Sequence, residues 1–302
     1  MPSPNLRPSV IAAAATPFRA DFGVDHARMV AHTQWLLANG CDSVVLFGST
    51  GEAASLTAGE RRAILERLVH AGVPAGALLV GTGCCAIEDT VALTSATRSA
   101  GSAGVLIHPP FFFKSVADEG VEEYYCRVID GVADPGLRVY LYHYPQVVGV
   151  GISLALTERL LRRYPGIVSG YKDSSGDFAN CCAVQRAFPE LRVFVSNEAR
   201  LLELLSVGGA GCISGTANVQ PAAIRRLLDQ PDHPAAAGQQ ARVAYVRTAL
   251  EGPFVVSNVK ALLAGIHADG AWRRVRPPLL PRSESDAADL YAKLAAHLGS
   301  SA

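Results

Sequence analysis

Ile167-Val168-Ser169-Gly170-Tyr171-Lys172-Asp173-Ser174-Ser175-Gly176-Asp177 carries an amine to the end of an apolar run of strand length. The chain prefers arginine elsewhere: of its 27 basic residues only Lys114, Lys172, Lys260 and Lys293 are lysines. A guanidinium cannot lose its proton near neutral pH. A buried lysine can, because desolvation disfavours the ammonium, and the neutral amine then adds to a carbonyl to form a Schiff base. Taken alone, Lys172 is also readable as a strand-end lysine that snorkels into solvent. Its neighbours decide.

Outward from this run, apolar stretches of strand length alternate with segments of helical period, with no proline-rich or charged linker between two halves. The expected strands are Val10 to Ala15, Ser43 to Phe47, Ala77 to Gly81, Gly104 to His108, Arg138 to His143, Ile167 to Lys172, Arg192 to Ser196 and Gly211 to Ser214. Helices are expected at Asp25 to Asn39 and at Thr57 to His70, the second opening with Thr57 and Glu60 as a capping box. Strand and helix in repeated alternation predict an α/β fold, a (β/α)8 TIM barrel of parallel strands inside a helical jacket. A doubly wound open sheet is the structural alternative, but no G-x-G-x-x-G follows the first strand. Beyond the eighth strand, helices near Pro221 to Gln230, Ala235 to Leu250, Val255 to His267 and Glu284 to Leu298 exceed what a barrel needs. Arg276-Pro277-Pro278 breaks the chain before the last of them. The expected organisation is a barrel over residues 1–230 and a C-terminal helical extension over residues 231–302.

Composition narrows the function classes. Acidic residues balance the basic ones at 27 each, which argues against a polyanion-binding surface and hence against a nucleic-acid partner. The N-terminal stretch Met1 to Val10, followed by Ile11 to Ala15, is too brief in its apolar part for a secretory core or a membrane span, so the expectation is a cytoplasmic protein with no membrane partner. Seven cysteines, including the adjacent pairs Cys84-Cys85 and Cys181-Cys182, do not make a disulfide framework, and neither cysteine nor histidine recurs at metal-ligand spacing. No metal is expected.

In such a barrel the reactive groups stand at the carboxyl ends of strands. Lys172 ends the sixth, where strand alternation places Val168, Gly170 and Lys172 on one face and Gly170 leaves room for the long side chain. Tyr142 and Tyr144 share a face at the end of the fifth, in Tyr140-Leu141-Tyr142-His143-Tyr144-Pro145. The second ends in Phe47-Gly48-Ser49-Thr50-Gly51-Glu52, whose amides and hydroxyls suit a small carboxylate, or equally make an ordinary strand-to-helix turn. Alternation turns His143 and Asp173 away from the mouth, and Glu52 reads mainly as a helix-capping acid. Gly208-Gly209-Ala210-Gly211 allows a phosphate-binding loop and so a barrel enzyme of phosphorylated sugars.

An amine, a phenol and an oxyanion-binding turn at neighbouring strand ends, with Thr16-Pro17-Phe18, Gly48-Ser49-Thr50-Gly51-Glu52, Tyr142-x-x-Pro145 and Gly170-Tyr171-Lys172-Asp173 in this order, resemble the dihydrodipicolinate synthase and N-acetylneuraminate lyase family of pyruvate-handling class I aldolases. The resemblance covers most of the chain. It implies a homotetramer built as a dimer of dimers, with no metal, no dissociable cofactor, and a small 2-keto acid and an aldehyde as partners. It assigns Lys172 as the imine-forming amine, Tyr142 as proton relay assisted by Ser49 or Thr50, and the same two hydroxyl residues as carboxylate binders. Ile213 and Gly215 then line the imine pocket through backbone groups.

Departures from the family pattern bear on the substrate. Val147 stands where dihydrodipicolinate synthases carry an arginine for the second carboxylate, and Phe111-Phe112-Phe113 where they place a tyrosine of a partner subunit. Tyr142-His143-Tyr144-Pro145 and Lys172-Asp173-Ser174 look more like 2-keto-3-deoxy sugar acid aldolases, and Lys172 to Asp177 also like hydroxy-oxoglutarate aldolases. On this likeness Tyr144 contacts a substrate hydroxyl, and Ser196, Asn197 and Glu198 lie in the second-substrate region, Asn197 being the candidate contact. A helix N-cap followed by a first-turn acid explains the same three residues. A dehydratase of the same family and a catalytically silent 2-keto acid binding barrel are the remaining alternatives.

Overall fold

In the computed structural model, which describes residues 7–298, eight parallel strands close into a barrel in chain order. They are β1 (Ser9–Ala13), β2 (Ser43–Leu46), β3 (Leu78–Gly81), β4 (Gly104–Ile107), β5 (Val139–His143), β6 (Val168–Asp173), β7 (Arg192–Val195) and β8 (Gly211–Ser214). Closure is made by β8 against β1, with Cys212 opposite Val10. The expected TIM barrel is therefore the fold, and the open doubly wound sheet is excluded. Strand ends differ from expectation by one or two residues. Ala77, for example, belongs to a short 3-10 turn, Ala75–Ala77, rather than to β3. The reading of Met1 to Leu6, and the outer ends of the two expected units, lie outside the described residues.

Strands covered on both faces are apolar throughout, which is why they read as continuous runs rather than alternating ones. Ile11, Val45, Leu79, Leu106, Tyr140, Tyr142, Phe194 and Ile213 fill the barrel interior. Val10, Val44, Leu78, Val105, Val139, Tyr171 and Val193 instead join the larger core between strands and helices.

Strand β6 departs from simple alternation, which corrects one expectation. Val139 of β5 pairs with Val168, but Tyr140 pairs with Gly170, so Ser169 is an extra residue in the ladder. Val168 consequently packs outward with the helices, and does not share a face with Gly170 and Lys172. The space at Gly170 is used differently too. A Cβ there would lie 2.3 Å from the Tyr140 ring, so the glycine admits that ring rather than the Lys172 stem.

A jacket helix follows each strand: His26–Ala38, Ala58–His70, Ile87–Ser99, Asp118–Val132, Leu154–Arg163, Phe178–Ala187, Leu201–Ser206 and Pro221–Asp229, with a one-turn helix, Pro145–Val148, inserted before the fifth of them. Asp25 caps the first by accepting from the Arg28 amide, and Thr57 with Glu60 makes the expected capping box of the second. Further helices span Ala236–Leu250, Val255–Ile266 and Glu284–Leu294, the last ending short of Leu298 in a tighter turn, Ala295–His297. Val246, Leu250, Val259, Leu262, Leu263, Trp272 and Leu294 form a second apolar cluster that reaches Ala15 and Val219 of the barrel. No single helix among the described residues is long and apolar enough to cross a membrane.

Candidate active site

Lys172 and Tyr142 are register partners across β5 and β6, both pointing into the barrel mouth. Lys172 is 3% exposed, and its Nζ lies 4.1 Å from the centroid of the Tyr142 ring. The face of a phenol attracts a cation, so this contact holds the amine without neutralising it with a carboxylate. Among the described residues the ion pair of a buried lysine belongs to Lys260 instead. The Tyr142 hydroxyl is 3.2 Å from the Ser49 Oγ, and its ring stacks on Tyr144 at a centroid distance of 5.8 Å. Burial and the neighbouring Tyr142 raise the Tyr144 phenol above its ordinary pKa, with Arg247 opposing.

The turn after β2 is shaped by backbone rather than by capping. Phe47 and Glu52 at its two ends have φ of 58° and 55°, a left-handed conformation uncommon for such residues. Between them Ser49 faces Tyr142, and Thr50 packs against the β8 end: a Cβ on Gly215 would lie 2.7 Å from Thr50 Oγ1. Glu52 does not cap a helix, contrary to expectation. Its buried carboxylate pairs with the equally buried Lys260 Nζ and accepts the Arg276 amide at 2.9 Å.

Asn218 ties the first and last strand ends together. Its Nδ2 donates to the Ala13 and Gly215 carbonyls at 2.8 and 2.7 Å, and its Oδ1 accepts the Ala15 amide at 3.0 Å. His32 Nε2 is 2.9 Å from the same Oδ1. An amide oxygen only accepts, so Nε2 carries the proton. Ile213 is fully buried in the interior layer below this clasp.

Lys172, Tyr142, Tyr144, Ser49, Thr50, Ile213 and Gly215 thus share one end of the barrel. Asn197 is not brought in with them through a free amide. Its Oδ1 accepts the Ala199 amide at 3.0 Å and its Nδ2 reaches Glu251 at 3.3 Å, so it caps the Glu198–Arg200 turn. Glu198 is fully buried, and burial raises its carboxyl pKa against the opposing charge of Arg247. His143 Nδ1 accepts the Ile152 amide at 2.9 Å, and Asp173 accepts from Ser175 and from Asn180, so both are held outside the mouth. Gly208 and Gly209 precede β8 and Gly211 begins it, at the end of the barrel opposite the mouth, which removes the phosphate-loop reading. All seven cysteines are free thiols, and no cluster among the described residues is arranged to hold a metal ion.

Two side chains beside the mouth were not singled out from sequence. Arg61 and His108 line a cavity of about 130 Å³ together with Ser49, Tyr142 and Tyr144. The signal for Arg61 was present: with Ile64, Leu65 and Leu68 it makes the buried stripe of its helix, where an arginine is out of place.

A closed barrel with an amine, a phenol and a hydroxyl turn converging at the carboxyl ends of its strands defines an enzyme of the lyase class. A profile of the dihydrodipicolinate synthetase family matches residues 7–297, and the chain belongs to that family. It is 33% identical over 288 residues to an uncharacterised DapA-like lyase of Chloroflexus aurantiacus, covering 94% of each chain. Dihydrodipicolinate synthase from Agrobacterium tumefaciens is a structural neighbour with a TM-score of 0.86 and 32% identity, over 95% of this chain and 98% of that one. A prophage protein of the same family from Escherichia coli K12, solved in complex with pyruvate, superposes with a TM-score of 0.88 at 26% identity, over 97% and 99%.

Proposed function

We propose that the protein is a class I aldolase that makes or breaks a C–C bond of a 2-keto acid, with pyruvate as one half, through an imine on Lys172. The observation that carries this reading is the placement of the Lys172 amine over the Tyr142 ring, with the Tyr142 hydroxyl next to Ser49. The neutral amine adds to the keto carbon, and water leaves with the carbonyl oxygen. The resulting protonated imine is an electron sink. In the cleavage direction Tyr142, as phenolate, takes the proton of the hydroxyl two carbons from the imine. The bond between the hydroxyl-bearing carbon and the carbon next to the imine breaks, its electron pair forms the enamine, and the aldehyde departs. Tyr142 then returns the proton to carbon, and hydrolysis frees pyruvate and the amine. The Ser49 hydroxyl, 3.2 Å from that of Tyr142, serves as the relay through which its proton comes and goes. Ser49 and Thr50 hold the keto acid carboxylate, with backbone at Ile213 and Gly215 lining the imine pocket and Tyr144 offered to a substrate hydroxyl.

For the substrate, a 2-keto-3-deoxy sugar acid or hydroxy-oxoglutarate fits Tyr144 and the absence of a basic residue at Val147. The 32% identity to a protein solved as dihydrodipicolinate synthase supports a second reading, condensation of pyruvate with aspartate semialdehyde. A dehydratase would share the imine and release water instead of an aldehyde. Residues 1–230 act as the catalytic unit and 231–302 as its extension, in a cytoplasmic homotetramer.

Borohydride reduction in the presence of pyruvate tests the proposal. A covalent adduct on Lys172, absent in Lys172→Ala, is expected; an unmodified Lys172 in folded protein overturns it. A panel of 2-keto-3-deoxy acids, hydroxy-oxoglutarate, and pyruvate with aspartate semialdehyde separates the substrate readings.

A further inference from the structure

Arg61 is a buried cation that forms no salt bridge among the described residues; Cys84 Sγ lies 3.8 Å from its Nη1, and Asp89 acts on it only at longer range. It is 7% exposed, and no acidic residue lines the cavity it borders. Its Nη2 donates to the Ala53 carbonyl at 2.6 Å and its Nη1 to the Gly83 carbonyl at 3.4 Å, which fixes the guanidinium between the loops after β2 and β3. Its Nε is fully buried and meets no hydrogen-bond partner among the described residues. Burying a guanidinium with an orphan N–H is costly, and burial does pull its proton affinity down. A group that is kept in that state by two backbone anchors is prepared for an anion that arrives from outside.

The rest of the cavity wall is neutral. His108 Nδ1 is 2.8 Å from the Pro109 carbonyl, which accepts only, so Nδ1 carries a proton; that bond favours the charged ring, but burial outweighs it and lowers the pKa. Val147, on the same wall, offers no charge. Ser49 and Tyr142 belong both to this cavity and to the proposed imine site. At about 130 Å³ the space suits a fragment of a few heavy atoms ending in a planar carboxylate, which a guanidinium edge binds through two N–H groups.

We infer that Arg61 is a specificity residue that binds a second carboxylate, at the far end of the keto acid or aldehyde from the carbon joined to Lys172. This rests on the aldolase reading and narrows it to dicarboxylic substrates, of which hydroxy-oxoglutarate is one, over sugar acids with a neutral tail.

The test pairs 2-oxoglutarate with 2-oxopentanoate, keto acids of equal chain length that differ in the far carboxylate. In wild type, half-maximal borohydride trapping on Lys172 is expected at a concentration at least about tenfold lower for 2-oxoglutarate. Arg61→Gln should abolish that preference while pyruvate alone is still trapped, and Arg61→Lys should keep part of it. No preference in wild type, or a preference that survives in Arg61→Gln, overturns the inference. The wild-type comparison needs no variant, so it decides even if Arg61→Gln does not fold. Calorimetric binding of the same two acids to Lys172→Ala, which cannot form the imine, reads Arg61 alone. If pyruvate were not trapped at all, the aldolase reading would fall, and equal calorimetric affinities for the two acids would overturn the role of Arg61 separately.

Discussion

Glu52 and Lys260, 208 residues apart, form an ion pair in which neither side chain is exposed. It joins the turn that presents Ser49 and Thr50 to a helix beyond the barrel, and Lys260 also donates to the Arg274 carbonyl at 2.6 Å. Two charges removed from water repay their desolvation only while both are present, and burial already pulls the Lys260 pKa down to about 8. Lys260→Met should therefore cost about 3–5 kcal/mol in chemical denaturation, because it strands the Glu52 carboxylate. The double variant Lys260→Met with Glu52→Gln should recover much of that loss. A single variant as stable as wild type would show that the pair is not what holds the turn.

The contact of Tyr142 with Ser49 makes a different prediction. Tyr142→Phe keeps the ring beneath the amine but removes the hydroxyl, so kcat should fall by about 10²–10⁴, the usual worth of a positioned acid–base group. Ser49→Ala leaves the phenol in place and should cost less. Steady-state rates on the best substrate of the panel measure both, and a Tyr142→Phe enzyme within a factor of about ten of wild type would remove Tyr142 from the proton transfers.

The barrel was legible because parallel strands buried on both faces must be apolar runs, and because Thr57 and Glu60 announce a helix locally. Lys172 and Tyr142 were legible for a related reason: both end such runs. What escaped depends on contacts distant in sequence. Nothing near Glu52 marks it as the partner of Lys260, so a helix cap was the natural local reading. The extra residue at Ser169 was hidden because Val168 is apolar and suits either face. Asn197 was ambiguous from the start, since one amide serves equally as cap or ligand until the Ala199 amide is seen to take it.

His32 gives the protein an acid-sensitive element. It is wholly buried between Trp35, His267 and Trp272, with Nε2–H on Asn218, and burial pulls its pKa from 6.5 to about 4. The unfolded chain takes up the proton as pH falls below about 6.5 while the folded one does not until about 4, so stability is lost progressively across that window and is unaffected above it. The full loss from this group is on the order of 3 kcal/mol. His32→Gln should flatten the fall in denaturation midpoint between pH 6.5 and 4 relative to wild type; an unchanged slope would place the acid sensitivity elsewhere.

Gly215 separates substrate binding from stability. Its backbone, at φ −70° and ψ −31°, is helical, so alanine fits the chain there, and reduced freedom of the unfolded state offsets part of any packing cost. The added Cβ, however, would lie 2.7 Å from Thr50 Oγ1 and must displace that hydroxyl. If Thr50 holds the keto acid carboxylate, Gly215→Ala should raise KM for the keto acid by about tenfold, the loss of one hydrogen bond to a charged group, with the melting temperature within a few degrees of wild type. Thr50→Ser, which keeps the hydroxyl and drops the methyl 3.3 Å from the same Cβ, should partly rescue the double variant. A Gly215→Ala enzyme with an unaltered KM would mean that the carboxylate is held without Thr50.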